Sequence, residues 1–293
     1  LIGLKIRTFT AICLFASPVL GWGGSQQISY VDGYSFRDIV NCPSYGQNYC
    51  WKSIQAVSSN RLEFTSSISR TPFGAIKVTV NSGDDPISST GERAETLWMF
   101  STAGAPDDDE GISSGTKFYA TSIYIPEGFQ SPSSWGIVLQ LHGPNAYGGT
   151  AAGSPNFALD ITGGNYHLEQ RGGDKDNPTI TTHSLGAISY NTWVDFVFEV
   201  TWESSAEAAI NVWTRANSAG ALQQRYVSAD NNGSSLSGWM APNLYSESGV
   251  PQTGYWKRGF YRSEEAFTNI LYLSTLCRAD NLKDAATCAF GSN

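Results

Sequence analysis

Three short segments pair an acid–base or cationic side chain with a hydrogen-bonding partner two positions away. The first is Ile137-Val138-Leu139-Gln140-Leu141-His142-Gly143. In an extended chain successive side chains alternate between faces, so Gln140, His142 and Val138 share one face and Ile137, Leu139 and Leu141 the other. Gln140 could hydrogen-bond a carboxylate, and His142 could take a proton near neutral pH. The second is Gly91-Glu92-Arg93-Ala94-Glu95-Thr96-Leu97, where Arg93 and Glu95 project together. The planar Arg93 fork suits a carboxylate, and Glu95 could orient it. In the third, Tyr255 to Arg262, the residues Tyr255, Lys257, Gly259 and Tyr261 share one face while Trp256 and Phe260 turn to the core. The missing side chain of Gly259 would leave room for a ligand. Taken singly each segment has an ordinary explanation: an amphipathic strand with an incidental His, a surface ion pair worth little, and a glycine-bearing edge strand with a snorkelling Lys.

All three depend on period-two alternation, so strands must position them. Strand-like runs recur at Ile76 to Val80, Lys117 to Ile125, Trp135 to His142, Asn156 to Ile161 and Trp193 to Trp202. They continue at Asn211 to Thr214, Tyr255 to Tyr261 and Asn269 to Leu276. Turn signals are Asn81-Ser82-Gly83-Asp84, Pro126-Glu127-Gly128, Gly163-Gly164-Asn165 and Arg171-Gly172-Gly173-Asp174. Helical periodicity is weak throughout. Many short strands with regular turns predict an all-β sandwich or jelly roll in one domain, with residues alternating between core and open face.

Composition agrees. Of 293 residues 41% are hydrophobic and 13% aromatic, enough for a sizeable core, while only 15% are charged. The net charge of −8 and the absence of any Lys/Arg cluster argue against nucleic acid. A cleft can still be locally positive, because the field depends on placement. Residues 1–21 read as a signal peptide: Lys5 and Arg7 precede an uncharged stretch from Thr8 to Leu20, followed by Gly21. Residues 22–293 are then the mature domain, expected to be secreted, monomeric and free of membrane spans. Outside the leader, Cys42, Cys50, Cys277 and Cys288 fall as two close pairs. In an exported chain they suggest Cys42–Cys50 and Cys277–Cys288 among three possible pairings, and the spacings lack a zinc knuckle.

Other constellations carry less. Asp107-Asp108-Asp109-Glu110 could hold a structural calcium, but lacks EF-hand spacing, and a solvated acidic loop is the commoner outcome. Asp84-Asp85 is equally ambiguous. His167 and His183 have no recurring partner. Asn232-Gly233-Ser234 is a glycosylation sequon.

Together the three segments resemble the jelly-roll polysaccharide lyases. The likeness is to the heparin-lyase-I-like superfamily, which includes fungal-type glucuronan lyases, and to the alginate lyases of the same fold. Their pattern is an Arg-x-Glu strand, a Gln-x-His strand and a Tyr-x-Lys-x-Gly-x-Tyr strand. Here Arg93-Ala94-Glu95, Gln140-Leu141-His142 and Tyr255 to Tyr261 occur in that order. Asn81-Ser82-Gly83-Asp84, Trp135-Gly136-Ile137 and Trp193-Val194-Asp195-Phe196 add to the likeness, which covers about Phe73 to Arg262. Arg262-Ser263-Glu264 departs from the alginate-lyase pattern and leans toward heparin- or glucuronan-type substrates.

The resemblance implies a concanavalin-like sandwich of two antiparallel sheets with a concave cleft. It also implies β-elimination on an anionic, uronate-containing polysaccharide. Arg93 and Gln140 would neutralise the sugar carboxylate, and His142 and Tyr261 would form the acid/base pair. Tyr261 would donate to the leaving oxygen and, in one stereochemical class, also abstract the proton; His142 is the alternative base. Lys257, Glu95 and Tyr255 would bind substrate, and Lys257 could assist Tyr261 through its charge. The scheme requires no cofactor. Two rivals stand beside it. A hydrolase of the same fold needs paired carboxyls, for which Glu199-Val200-Thr201-Trp202-Glu203 is the nearest match. A non-catalytic sugar-binding module could use the nine Trp and fourteen Tyr.

Overall fold

The computed structural model describes residues 26–29, 53–72, 74–88, 91–98, 114–143, 154–217, 220–224, 239–252 and 254–291. In chain order its strands are β1 (Gln26–Ser29), β2 (Ser53–Gln55), β3 (Leu62–Thr65), β4 (Ala75–Val80), β5 (Glu92–Trp98), β6 (Gly115–Ile125) and β7 (Gly136–His142). Then come β8 (Pro155–Thr162), β9 (Asn165–Asp174), β10 (Thr179–Ala187), β11 (Thr192–Trp202), β12 (Ala209–Ala216) and β13 (Gln223–Gln224). The last are β14 (Trp239–Met240), β15 (Tyr245–Glu247), β16 (Val250–Pro251), β17 (Tyr255–Arg262), β18 (Asn269–Leu273) and β19 (Leu276–Ala279), followed by helix α1 (Leu282–Phe290).

The strands form two sheets in a β-jelly roll. One runs β13-β12-β11-β6-β18-β4-β3, with β1, β14 and β19 attached; the other runs β16-β15-β9-β8-β7-β17-β5-β2, with β10 beside β9. Pairing is antiparallel except where Tyr245 and Ser246 of β15 run parallel to Gly173 and Asp174. Each expected strand overlaps an observed one, but Trp135 lies just before β7, and Asn269 to Leu276 is split between β18 and β19. The expected turn at Arg171 to Asp174 is instead the end of β9. There Gly172 carries no side chain because a Cβ would lie 2.5 Å from the Pro242 carbonyl carbon. Gly163-Gly164 is a two-residue hairpin turn between β8 and β9, with both glycines at positive φ.

The sheets bury a common core. Trp256 and Phe260 of β17 enter it, and Trp256 packs on Tyr119 (4.8 Å between ring centres) and Phe157 (5.5 Å). The Trp202 Nε1–H donates to the Tyr119 hydroxyl at 3.0 Å, so two large aromatics are buried without orphaning that pair of polar tips. A second, smaller apolar layer lies outside the first sheet. Helix α1 lays Ala285, Ala289 and Phe290 over Ala120, Val197 and Ala279. Asn281 caps it by accepting from the Asp284 N–H at 2.9 Å, and the Cys277–Cys288 disulfide ties it to β19. This helix was not expected from periodicity. Residues 1–21, read above as a signal peptide, together with Cys42, Cys50, Asp107 to Glu110 and the Asn232 sequon, lie outside the described residues. No helix among the described residues is long and apolar enough to cross a membrane.

Candidate active site

Strand β17 lies between β5 and β7, so sheet pairing unites the three segments. Tyr255 pairs with His142, and Lys257 with Gln140. Gly259 pairs with Glu95, while Tyr261 pairs with Arg93 on one side and Ile137 on the other. All seven candidate residues therefore share the face turned away from the core. Their side chains are nonetheless buried: Arg93 is 3% exposed, Glu95 1%, Gln140 2%, His142 7% and Lys257 4%. Tyr255 is buried as well, and Tyr261 is half-buried.

Glu95 sits at the centre. Its Oε1 accepts from Gln140 Nε2 at 2.7 Å, and its Oε2 lies 3.7 Å from Arg93 Nη1 with no hydrogen-bond partner. The Arg93 guanidinium lies over the Tyr261 ring, 3.5 Å from its centre, and Trp135 meets that ring edge-on at 4.3 Å. His142 stacks on Tyr255 at 5.0 Å. Its Nδ1 lies 2.6 Å from the Gly143 carbonyl. A carbonyl only accepts, so Nδ1 carries the hydrogen and Nε2 is the basic nitrogen. Burial pushes the Lys257 pKa down; Glu95 opposes that shift and Arg93 reinforces it.

Several details differ from the sequence reading. Gly259 does not open a gap for ligand: a Cβ there would meet the Ala94 carbonyl oxygen at 2.0 Å, so its space belongs to the β5 backbone. Val138 is in the core beside Leu139, and Ile137 takes the site face opposite Tyr261. The cause is a register shift between Ile137 and Leu139, which reverses the alternation. Gln140 bonds to Glu95, a carboxylate of the chain itself. Arg258, expected on no particular face, is fully buried in the core and donates to Thr121 Oγ1 at 2.9 Å.

Two contributors were missed. Gln55 of β2 pairs with Glu95, and its Oε1 accepts from Arg93 Nη1 at 3.4 Å and Lys257 Nζ at 3.2 Å. A three-residue strand offers no periodicity that could have revealed it. Trp135, noted only as part of a motif, supports the Tyr261 ring.

The flanking motifs are structural. Asp84 is buried, pairs with Arg61 at 2.5 Å and passes its carbonyl to the Arg93 N–H at 2.7 Å, fixing the start of β5. Asp195 is engaged on the other sheet. Arg262 pairs with buried Glu92 at 2.7 Å. The hydrolase candidate Glu199 lies on the outer side of β11, accepting from Asn211 at 2.6 Å. Glu203, at the end of β11, accepts from the Ser204 N–H. His167 faces the Thr162 carbonyl at 3.3 Å, and burial lowers His183 to about 4. Among the described residues no three His, Cys, Asp or Glu side chains gather as metal ligands would.

A family model described as polysaccharide lyase matches residues 44–276. The fold is similar to the endo-β-1,4-glucuronan lyase of the fungus Trichoderma reesei, with a TM-score of 0.56 and 12% identity over 80% of this chain and 93% of that one. It is equally similar to the catalytic domain of a GH131 β-glucanase from Podospora anserina: TM-score 0.56, 12% identity, 88% of this chain and 97% of that one. The PL-14 alginate lyase of Aplysia kurodai gives 0.47 at 12% identity, over 78% and 91%. No curated protein matches the sequence.

Proposed function

The chain belongs to the polysaccharide lyase family, and from that premise we propose that it cleaves a uronate-containing polysaccharide by β-elimination. The observation that carries this reading is the convergence of Arg93, Gln140, His142, Lys257 and Tyr261 on one sheet face through the β5–β17–β7 pairing. Elimination must remove the C5 proton and expel the C4 oxygen. The proton is weakly acidic until the neighbouring carboxylate is neutralised. Arg93 offers a charged fork and Gln140 an amide for that purpose. Glu95 holds both in place and would share them with the incoming carboxylate. The C5 proton goes either to an ionised Tyr261 oxygen, which then passes it to the leaving C4 oxygen, or to His142 Nε2, the nitrogen not committed to the Gly143 carbonyl, while the Tyr261 hydroxyl gives its own proton to the C4 oxygen. The scheme needs no metal or organic cofactor. Lys257, sharing Gln55 with Arg93, anchors the polymer.

The GH131 likeness gives fold alone, and the carboxyl pair that hydrolysis would have used on β11 is not on this face. A secreted setting suits the Cys277–Cys288 disulfide. The test is a panel of glucuronan, alginate and heparin-like polymers assayed by ultraviolet absorbance of the new C4–C5 double bond. New reducing ends without that absorbance would move the protein to the hydrolases, and binding without either would make it a lectin.

A further inference from the structure

The same sheet face holds a second polar group farther along, on β8, β9 and β15. Ala158 pairs with Gln140 on one side and Glu169 on the other, so Glu169 and Arg171 share the face of Gln140 and His142. Ala158 leaves a low floor between the two groups. Arg171 commits only Nε, to Glu169 Oε1 at 2.7 Å, and keeps 26% of its side-chain surface exposed. Its two terminal nitrogens have no partner among the described residues. Asn156 Nδ2 donates to the Arg171 carbonyl at 3.2 Å, yet Asn156 Oδ1 is fully buried with no hydrogen-bond partner. The buried Tyr245 hydroxyl has none either. Asn156 Oδ1 and the Tyr245 ring converge on Gly143, 3.1 and 3.0 Å from where a Cβ would sit. Burial raises the Tyr245 pKa to about 12, and Arg171 and Glu169 act on it with opposite signs. Buried polar atoms without partners are uncommon, and here two belong to residues that adjoin the β9 backbone of Arg171, Asn156 through the Arg171 carbonyl and Tyr245 through its pairing with Gly173.

We propose that Arg171, with the Tyr245 hydroxyl as a second donor, is an outer subsite that binds a carboxylate of the same polymer, with Asn156 Oδ1 accepting from a hydroxyl of the sugar, three strands away from Lys257. This rests on the uronate-polymer reading above. Three strand spacings are about 14 Å, so only a chain of several sugars reaches both places. Glu169 plays two parts: it aims the fork through Nε, and it repels the carboxylate that the fork would take.

Initial rates on polymer and on size-defined oligouronates test this in wild type, Arg171→Ala and Glu169→Gln. Arg171→Ala should raise KM about tenfold on polymer, with a loss that shrinks as the oligouronate shortens and with kcat nearly constant. Glu169→Gln should lower KM on polymer. An Arg171→Ala effect of equal size at every chain length, or none on polymer, overturns the subsite while leaving the lyase reading intact. Should Arg171→Ala fail to fold, Glu169→Gln decides alone, and an unchanged or raised KM counts against the subsite. A wild-type enzyme that yields no unsaturated product from any uronate polymer removes the lyase reading and the subsite with it.

Discussion

Two buried charge clusters, one on each sheet, are built to opposite ends. Under helix α1, Asp195 receives Arg70 Nε and Nη2 at 2.8 and 2.9 Å, Arg215 Nε and Nη2 at 2.9 and 2.8 Å, and Ser122 Oγ at 2.6 Å. Both guanidinium groups lie over the Phe290 ring, 5.4 and 5.5 Å from its centre. Around Tyr261 the charges are as deeply buried but share partners. Glu95 keeps one oxygen without a hydrogen bond, and Arg93 and Lys257 divide a single Gln55 oxygen between them. Desolvating a charge is costly unless hydrogen bonds replace the lost water. The Asp195 cluster is fully compensated and has nothing left to offer a ligand. In the Tyr261 cluster Glu95 Oε2 is left without a hydrogen-bond donor, so its carboxylate is less completely paired than that of Asp195. The pairing of the central carboxylate, more than burial or charge, separates the Asp195 cluster from the one proposed to react.

That contrast can be broken most forcefully at Tyr261. Tyr261→Phe keeps the ring under Arg93 and removes only the hydroxyl. Turnover should fall by about 10²–10⁴-fold with the melting temperature little changed; a folded variant with near wild-type turnover would end the assignment. Asp195→Ala should do the reverse. It strands two buried guanidinium groups, which costs about 3–5 kcal/mol of stability by denaturant titration, while turnover of the folded fraction holds. If catalysis collapses in a folded Asp195→Ala protein, the clusters are not separable. Removing the nearby disulfide through Cys277→Ser with Cys288→Ser should cost about 2–3 kcal/mol, again with the site unaffected.

The smallest effect is the pH dependence of Lys257. Burial lowers its pKa, so between that value and the ordinary one near 10.4 the unfolded chain binds more protons than the folded one. Stability from this group therefore rises with pH across that window, while the charge proposed to anchor substrate is lost. Rising KM on the alkaline side, without a matching fall in melting temperature from this residue, is expected. Lys257→Met should remove that limb, raise KM at neutral pH, and melt no lower than wild type. A lower melting temperature would show that Lys257 is as structurally committed as Arg70.

What could be read in advance followed from local rules. Alternation fixes which side of its own strand Gln140, His142, Lys257 or Tyr261 occupies, and close spacing suggested the Cys277–Cys288 pair. Adjacency was harder, because β5 and β17 are far apart in sequence and meet only through sheet topology; the family likeness supplied it. Gln55 was out of reach for the same reason. Val138 was assigned to the wrong face because a register shift leaves no mark in residue type. Gly172-Gly173 looked like a turn, yet Gly172 is there to let the Pro242–Leu244 backbone pass. The Asn281 cap, with Asp284 three residues on, was a visible helix signal that the short, weakly periodic segment after it obscured.

The register shifts near Val138 and Gly259 give the site its outline. Between the row through Tyr261, Ile137 and Asp160 and the row through Lys257, Gln140 and Ala158, strand β17 takes four residue steps, β7 three and β8 two. The strands thus diverge like the ribs of a fan, with the spread end at β17. Lys257 and Tyr261 stand four residues apart on β17, while on β8 the same two rows are only two residues apart. Deleting one residue from either β7 or β17 would rotate Tyr261 out of step with Gln140 and leave each half of the machinery intact but facing a different way. Insertions and deletions in these two strands should therefore be tolerated only as matched events, which makes their combined length, more than any single side chain, the feature that keeps Tyr261, Lys257 and Gln140 on one face.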